Sequence, residues 1–186
     1  MVIDAILKEF KSGSEKSIES LQKELSRLRT GRATPAILDP VKVEYYGMPT
    51  PLKQVANISV SDARTLTITP WDKSLLGEIE KAILASGIGL TPNNDGKVIR
   101  VPIPPLTGER RKELVRQVKK IGEEYKVAVR NHRHRAIDKF KEAKDNKEIT
   151  EDEYHRALKQ LQQETDKQIK KIDEIISKKE EEIMEF

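Results

Sequence analysis

Cysteine is missing altogether from the 186 residues, so disulfides, thiolate metal centres and cysteine nucleophiles are excluded and a reducing compartment is the default. Aromatic residues are scarce, with 3 Phe, 1 Trp and 4 Tyr, so any core has to be built mainly from aliphatic side chains. No long hydrophobic run occurs; the apolar stretches stop at four or five residues, against the roughly 20 that span a bilayer. The opening MVIDAILKEFKSG has neither a basic leader ahead of an apolar segment nor an Arg- and Ser-rich, acid-poor character, so the expected location is the cytoplasm, away from membranes. Also absent are the phosphate loop G-x-x-x-x-G-K-S/T, the dinucleotide turn G-x-G-x-x-G and the nucleophile elbow G-x-S-x-G. No catalytic residues and no cofactor are therefore expected, and the chain reads as a non-enzyme.

What is abundant is charge. Asp, Glu, Lys and Arg make up 35% of the chain and the hydrophobic residues only 36%, a balance that favours elongated helices over a large compact core. Ile3, Leu7, Phe10, Ile18, Leu21, Leu25 and Leu28, with Ser14 in the gap, recur at steps of three and four and predict a first helix over about 3–29. Gly31 stands where a left-handed cap would close it after Thr30.

The period changes from Gly31 to Pro105, where the prolines and most of the threonines fall. Val41 to Tyr45, Val55 to Val60, Leu66 to Thr69 and Val98 to Ile103 are short strand candidates, and Leu75, Leu76, Ile79, Ala82 and Ile83 give one amphipathic helix ended near Gly87. Helical spacing returns with Thr107 as N-cap and Leu114, Val118, Ile121, Tyr125, Ala128, His132 and Ala136 on one stripe to about residue 144. Thr150 and Glu153 form an S/T-x-x-E capping box that opens a third helix, whose stripe runs from Tyr154 through Leu161, Ile172 and Ile183 nearly to Phe186.

Helices of about 27, 38 and 35 residues, roughly 40 to 57 Å long, need partners to be stable. The expected fold is α+β: an elongated three-helix bundle from residues 1–30 and 106–186, with a small β/α/β domain inserted over 31–105. The hinges fall near 30–32 and 102–106, where Thr30 and Gly31 absorb torsion while Pro104 and Pro105 keep the return segment extended.

Residues 110–135 hold ten Lys or Arg against three Glu, a net +7, whereas 136–186 are net −4. Lys126, Arg130 and either Arg133 or His134 stack at helical spacing, and Arg27, Arg29 and Arg32 bracket the end of the first helix. Both clusters suit phosphate. Each also has a purely structural explanation, as a solvated face paired in places with acids of the third helix, and as cations opposing a helix dipole. His132 falls on the apolar stripe and reads as a packing residue. His132 and His134, at i and i+2, cannot share a metal ion, so no metal is expected. An RNA-stacking platform is not expected either: consecutive Tyr45 and Tyr46 should point to opposite faces and Trp71 should pack in the core or at a domain edge.

Four segments carry a likeness. Leu28-Arg29-Thr30-Gly31-Arg32-Ala33-Thr34-Pro35, Val43-Glu44-Tyr45-Tyr46-Gly47, Ile99-Arg100-Val101-Pro102-Ile103-Pro104-Pro105-Leu106-Thr107, and Val129-Arg130-Asn131 followed by Arg133, in that order, resemble ribosome recycling factor, over the whole chain to Met184-Glu185-Phe186. The resemblance implies a translation factor that, with elongation factor G and its GTP hydrolysis, splits post-termination ribosomes into subunits. It implies contacts to large-subunit rRNA from Arg29, Gly31, Arg32, Arg130 and Arg133, and action as a monomer. The family pattern R-N-x-R-R departs at its last position, here His134, with Arg135 displaced by one. Two other readings share the architecture: a generic RNA-binding or RNA-chaperone bundle, and a coiled-coil adaptor that self-associates.

Overall fold

The computed structural model describes residues 1–185. Phe186, the last residue of the expected bundle, lies outside the described residues. The chain divides into two compact units, one made of Met1–Leu25 with Lys112–Met184 and the other of Ser26–Arg111.

The first unit is helical. Helix α1 (Val2–Ser26), helix α4 (Gly108–Asp145) and helix α5 (Glu151–Glu185) have 25, 38 and 35 residues. Their partners give their directions. Glu24 pairs with Tyr125, Ser17 with His132 and Glu9 with Lys139, so α1 and α4 run antiparallel; Lys126 pairs with Asp173 and Arg133 with Gln162, so α4 and α5 do too. Between them lie Phe10, Leu21 and Leu25 from α1, Leu114, Val118, Val129 and Phe140 from α4, and Ala157, Leu161 and Ile172 from α5. The stripes are those of the sequence with one-residue adjustments in each helix: Ile6, Val129, Ala157 and Gln168 are buried, while Leu7, Ala128, Leu158 and Ile169 are only half-buried. Phe140, fully buried, is a large apolar anchor in a core otherwise mostly aliphatic.

The termini follow from local hydrogen bonding. Thr107 Oγ1 accepts from the Arg110 amide at 3.1 Å and so caps α4. At α5 the capping box closes in both directions: the Glu153 amide donates to Thr150 Oγ1 at 3.1 Å and the Thr150 amide to Glu153 Oε2 at 2.8 Å. Helix α1 ends earlier than its apolar spacing suggests, at Ser26 instead of Leu28 or Arg29. Thr30 stands about 140° around a helix from Leu25, so a continued helix could not bury both. The chain leaves the helix instead, and Thr30 ends 1% exposed. Gly31 is left-handed (φ +81°), but in the loop beyond the helix, not as its cap.

The second unit is built on two sheets. Strands β1 (Lys42–Tyr45) and β2 (Met48–Pro51) form a hairpin; strands β3 (Ala56–Asp62), β4 (Thr65–Pro70), β5 (Asn93–Asn94) and β6 (Ile99–Pro102) form an antiparallel sheet in the order β3-β4-β6-β5. A single helical turn, α2 (Leu52–Val55), links the two sheets, and helix α3 (Leu76–Ala85) follows β4. Val43, Leu52, Val55, Leu66, Ile68, Ile79, Ile83, Ile99 and Val101 form one buried cluster. In β4 and β6 alternate residues supply it, as the period of two requires.

Two expectations fail here. Tyr46 and Gly47 both have positive φ, at 50° and 74°, and make the tight turn between β1 and β2. The strand rule that sends neighbouring side chains to opposite faces therefore stops at Tyr45, and the two tyrosine rings meet edge to face at 4.4 Å. Trp71 is 70% exposed instead of packed. Leu66, Ile68 and Pro70 are the inward residues of β4, and Trp71 lies just past its last residue, where the inward alternation no longer holds it.

Candidate nucleic-acid interface

The outward face of α4 carries Arg116, Lys120, Glu123, Val127, Arg130 and His134, all exposed and all within a narrow angular band, because steps of three and four return to nearly the same azimuth. Within it Arg130 has no ion pair among the described residues, and its guanidinium is available to a partner.

Lys126 is different. Its ammonium lies 2.5 Å from the Asp173 carboxylate on α5 and 3.3 Å from Glu123, and its side chain is 17% exposed. The bond to Asp173 pushes its pKa up, more than burial pulls it down. Lys126 thus satisfies the structural explanation of the basic face: it ties α4 to α5. Arg133 is intermediate, half-buried, with Nη1 donating to Gln162 Oε1 at 3.1 Å and Nε buried without a partner. His134, in place of the arginine of the family pattern, is exposed.

His132 packs as its place on the stripe suggests. Its ring lies against Gly13, where an added Cβ would come within 3.0 Å, and Nε2 is 3.2 Å from Ser17 Oγ. Burial, helped by the nearby Arg135 charge, lowers its pKa. Among the described residues no group of three or more His, Cys, Asp and Glu side chains could hold a metal ion.

The other candidate residues belong to the second unit. Arg29 is half-buried with its guanidinium over Gly89, where a Cβ would sit 3.6 Å from Nη1. Thr30 and Gly31 are buried, and Arg32 is exposed. The Ala33 amide donates to the Ala63 carbonyl at 2.8 Å and the Ile103 amide to the Arg64 carbonyl at 2.7 Å. Two consecutive residues of the β3–β4 turn therefore hold the outgoing and returning segments side by side, with Pro104 and Pro105 exposed just beyond. So Arg29, Gly31 and Arg32 are grouped within the second unit, and Arg130 and Arg133 within the first. The sequence allowed for pairing of this face with acids of the third helix, but not which cations are engaged: Lys126 with Asp173, and Arg133 with Gln162.

The profile of the family described as Ribosome recycling factor matches residues 21–184. The ribosome-recycling factor of Trichlorobacter lovleyi is 54% identical over 181 residues, covering 97% of this chain and 98% of its own. That of Natranaerobius thermophilus is 53% identical over 184 residues, covering 99% and 100%. A solution structure of the ribosome recycling factor aligns over 100% of this chain and 99% of its own, with a TM-score of 0.77 and 42% identity. A further match, at TM-score 0.68 and 46% identity over 98% of this chain, comes from models for the T. thermophilus ribosome recycling factor and the E. coli elongation factor G bound to the E. coli post-termination complex.

Proposed function

The chain belongs to the ribosome recycling factor family, and on that premise we propose that it binds the ribosome after termination and, with elongation factor G hydrolysing GTP, splits it into subunits for reuse. A ribosome recycling factor is a translation factor; the GTPase is elongation factor G. The single observation that carries this reading is the likeness, over 98% of the chain, to a factor placed with elongation factor G on the post-termination complex. No helix among the described residues is long and apolar enough to cross a membrane, in keeping with work on cytoplasmic ribosomes.

The bundle, residues 1–30 and 106–186, is the anchor in this proposal, and the insert, 31–105, is the part that swings. Arg130 and Arg133 hold rRNA phosphates from the bundle, joined by Arg29, Gly31 and Arg32. Arg130 is the unencumbered ligand; Arg133 shares its guanidinium with Gln162. Packed helices deform little, whereas the two connections near 30–32 and 102–106 turn at low cost, so a push from the GTPase on the insert becomes rotation against the anchor. The bonds from Ala33 to Ala63 and from Ile103 to Arg64 support that placing of the pivot, since they make the insert rigid up to its edge.

The test mixes post-termination ribosomes with this protein, a matched elongation factor G and GTP, and follows subunit separation by light scattering. A fall in scattering that needs all three components is expected; no fall with folded protein defeats the proposal. Arg130→Glu should weaken large-subunit binding and lower its salt slope by roughly one, as expected for one lost phosphate contact. Unchanged affinity and slope would remove Arg130 from the interface. Replacing exposed Pro104 and Pro105 together by glycine, which loosens the return segment, should leave binding largely intact but change the splitting rate. Equal splitting rates would defeat the pivot.

A further inference from the structure

Residues 93–98, Asn-Asn-Asp-Gly-Lys-Val, are β5 and the turn from it into β6, and contain the chain's sole Asp-Gly pair; there is no Asn-Gly. A glycine after aspartate leaves the following amide nitrogen unshielded, and here Gly96 is open: a Cβ would meet nothing within 4 Å, while φ of +88° disfavours any side chain. That is the combination in which backbone nitrogen attacks an aspartyl side chain. Every atom the attack needs is held. Asp95 Oδ1 accepts from the Lys97 amide at 2.9 Å and the Val98 amide at 2.8 Å, Asp95 Oδ2 lies 2.6 Å from Arg100 Nη1, and the Gly96 amide donates to Asn94 Oδ1 at 2.9 Å.

We infer that Asp95-Gly96 is an isoaspartate-forming site kept latent by its own hairpin, with Arg100 and Asn94 as its guards. The reaction starts from the protonated carboxyl. Gly96 N attacks Asp95 Cγ, a new N–Cγ bond forms, and the carboxyl hydroxyl leaves with the amide proton as one water. Water then adds to the main-chain carbonyl carbon of Asp95 in the five-membered ring and breaks its bond to nitrogen. The chain now runs through Cβ and Cγ, and the former main-chain carbonyl is a free carboxylate. One water leaves and one returns, so the mass is unchanged, but the backbone has gained a methylene.

In the fold both reactants are disarmed. The Gly96 amide is turned to Asn94. The carboxyl is kept ionised: the bonds from Val98 and Lys97, then Arg100, pull its pKa from 3.8 to about 2. Such a carboxyl, in an exposed turn where solvent screens its partners, is protonated on the order of tenfold less often at neutral pH. An added methylene would shift the ladder that sets Asn94 against Ile99 and Asn93 against Arg100, and so strip the short strand β5 from the sheet.

The full chain is incubated at neutral pH and physiological temperature, and isoaspartate is quantified by methyl transfer from S-adenosylmethionine with an isoaspartyl methyltransferase and placed by peptide mapping. The folded wild type should form isoaspartate at 95 on the order of tenfold more slowly than the same chain in concentrated guanidinium chloride. Arg100→Ala should speed formation in the folded protein several-fold, and Arg100→Lys should restore much of the protection. Asn94→Ala, which frees the Gly96 amide and also gives up the long 3.4 Å bond from Asn94 Nδ2 to Glu80, should also speed it; thermal unfolding and far-UV circular dichroism check that each variant is folded. Equal rates in folded and unfolded wild type, folded variants no faster than wild type, or isoaspartate arising elsewhere with residue 95 silent would each overturn the inference.

Discussion

Gly122, in the middle of α4, faces Ile176 of α5 at a distance that admits no side chain. A Cβ built on it would stand 2.7 Å from Ile176 Cγ1 and 3.0 Å from Cδ1. Two opposed effects set the result of Gly122→Ala. Replacing a mid-helix glycine gains about 1 kcal/mol in backbone propensity. Forcing a methyl into a packed helix interface costs about 1–3 kcal/mol, and here the obstruction includes Cγ1, next to the Ile176 main chain, so a terminal rotation does not clear it. The net expectation is a loss of about 1 kcal/mol, or roughly 2–4 °C in the bundle's midpoint for a chain of this size. Ile176→Ala removes both obstructing atoms, and in that background the same glycine change should become stabilising by up to about 1 kcal/mol. The assay is urea unfolding followed by helical circular dichroism for the four members of the cycle. A coupling of about 2 kcal/mol with a change of sign is the expected result. If Gly122→Ala has the same effect in both backgrounds, the close approach of α4 to α5 is not what keeps this position a glycine.

Thr150→Ala removes the hydroxyl that accepts the Glu153 amide and should cost about 1 kcal/mol of bundle stability, read by the same unfolding curves; no loss would mean that the capping box is ornamental. His132 is held below its ordinary 6.5 by burial and then by Arg135. Its contribution to stability should be full above pH 6.5 and fall as pH drops, because the unfolded chain takes up the proton first. A His132 ring titrating at or above 6.5 by NMR would contradict this. Trp71, the chain's one tryptophan, should emit at a solvent-exposed wavelength and be quenched by iodide, and Trp71→Ser should change stability by no more than about 0.5 kcal/mol. A blue-shifted, protected emission would mean that the residue is buried after all.

Long amphipathic helices were the most legible part of the sequence, because a stripe of three- and four-residue steps over 25 or more residues has no strand counterpart. The capping box at Thr150 was equally plain, being a purely local pattern. Strand β2 was not. Pro49 and Pro51 punctuate it like a turn, yet a strand paired on one side only tolerates residues that cannot donate. Strand β5, two asparagines long, carries no pattern at all and exists through its pairing with β6. The aromatic placements failed for a related reason: where a strand stops, its period of two stops too, and one residue either way reverses a side chain. In the candidate interface the positions of the cations were readable, but which were already engaged was not. Lys126 and Arg130 are one turn apart and alike on paper; only the neighbouring helix, which brings Asp173 to one of them, separates the two.

The partners of α1 lie far away along the chain: Glu24 meets Tyr125, Ser17 meets His132 and Glu9 meets Lys139, at separations of 101, 115 and 130 residues. The second unit, in contrast, is drawn almost wholly from one stretch, Ser26–Arg111. During synthesis from the N-terminus, α1 comes out first and finds nothing to pack against, while the later-born insert has all its strands in hand and can fold as a unit. The oldest helix therefore waits as an exposed apolar stripe through most of translation, and closes its bundle only when the youngest two arrive.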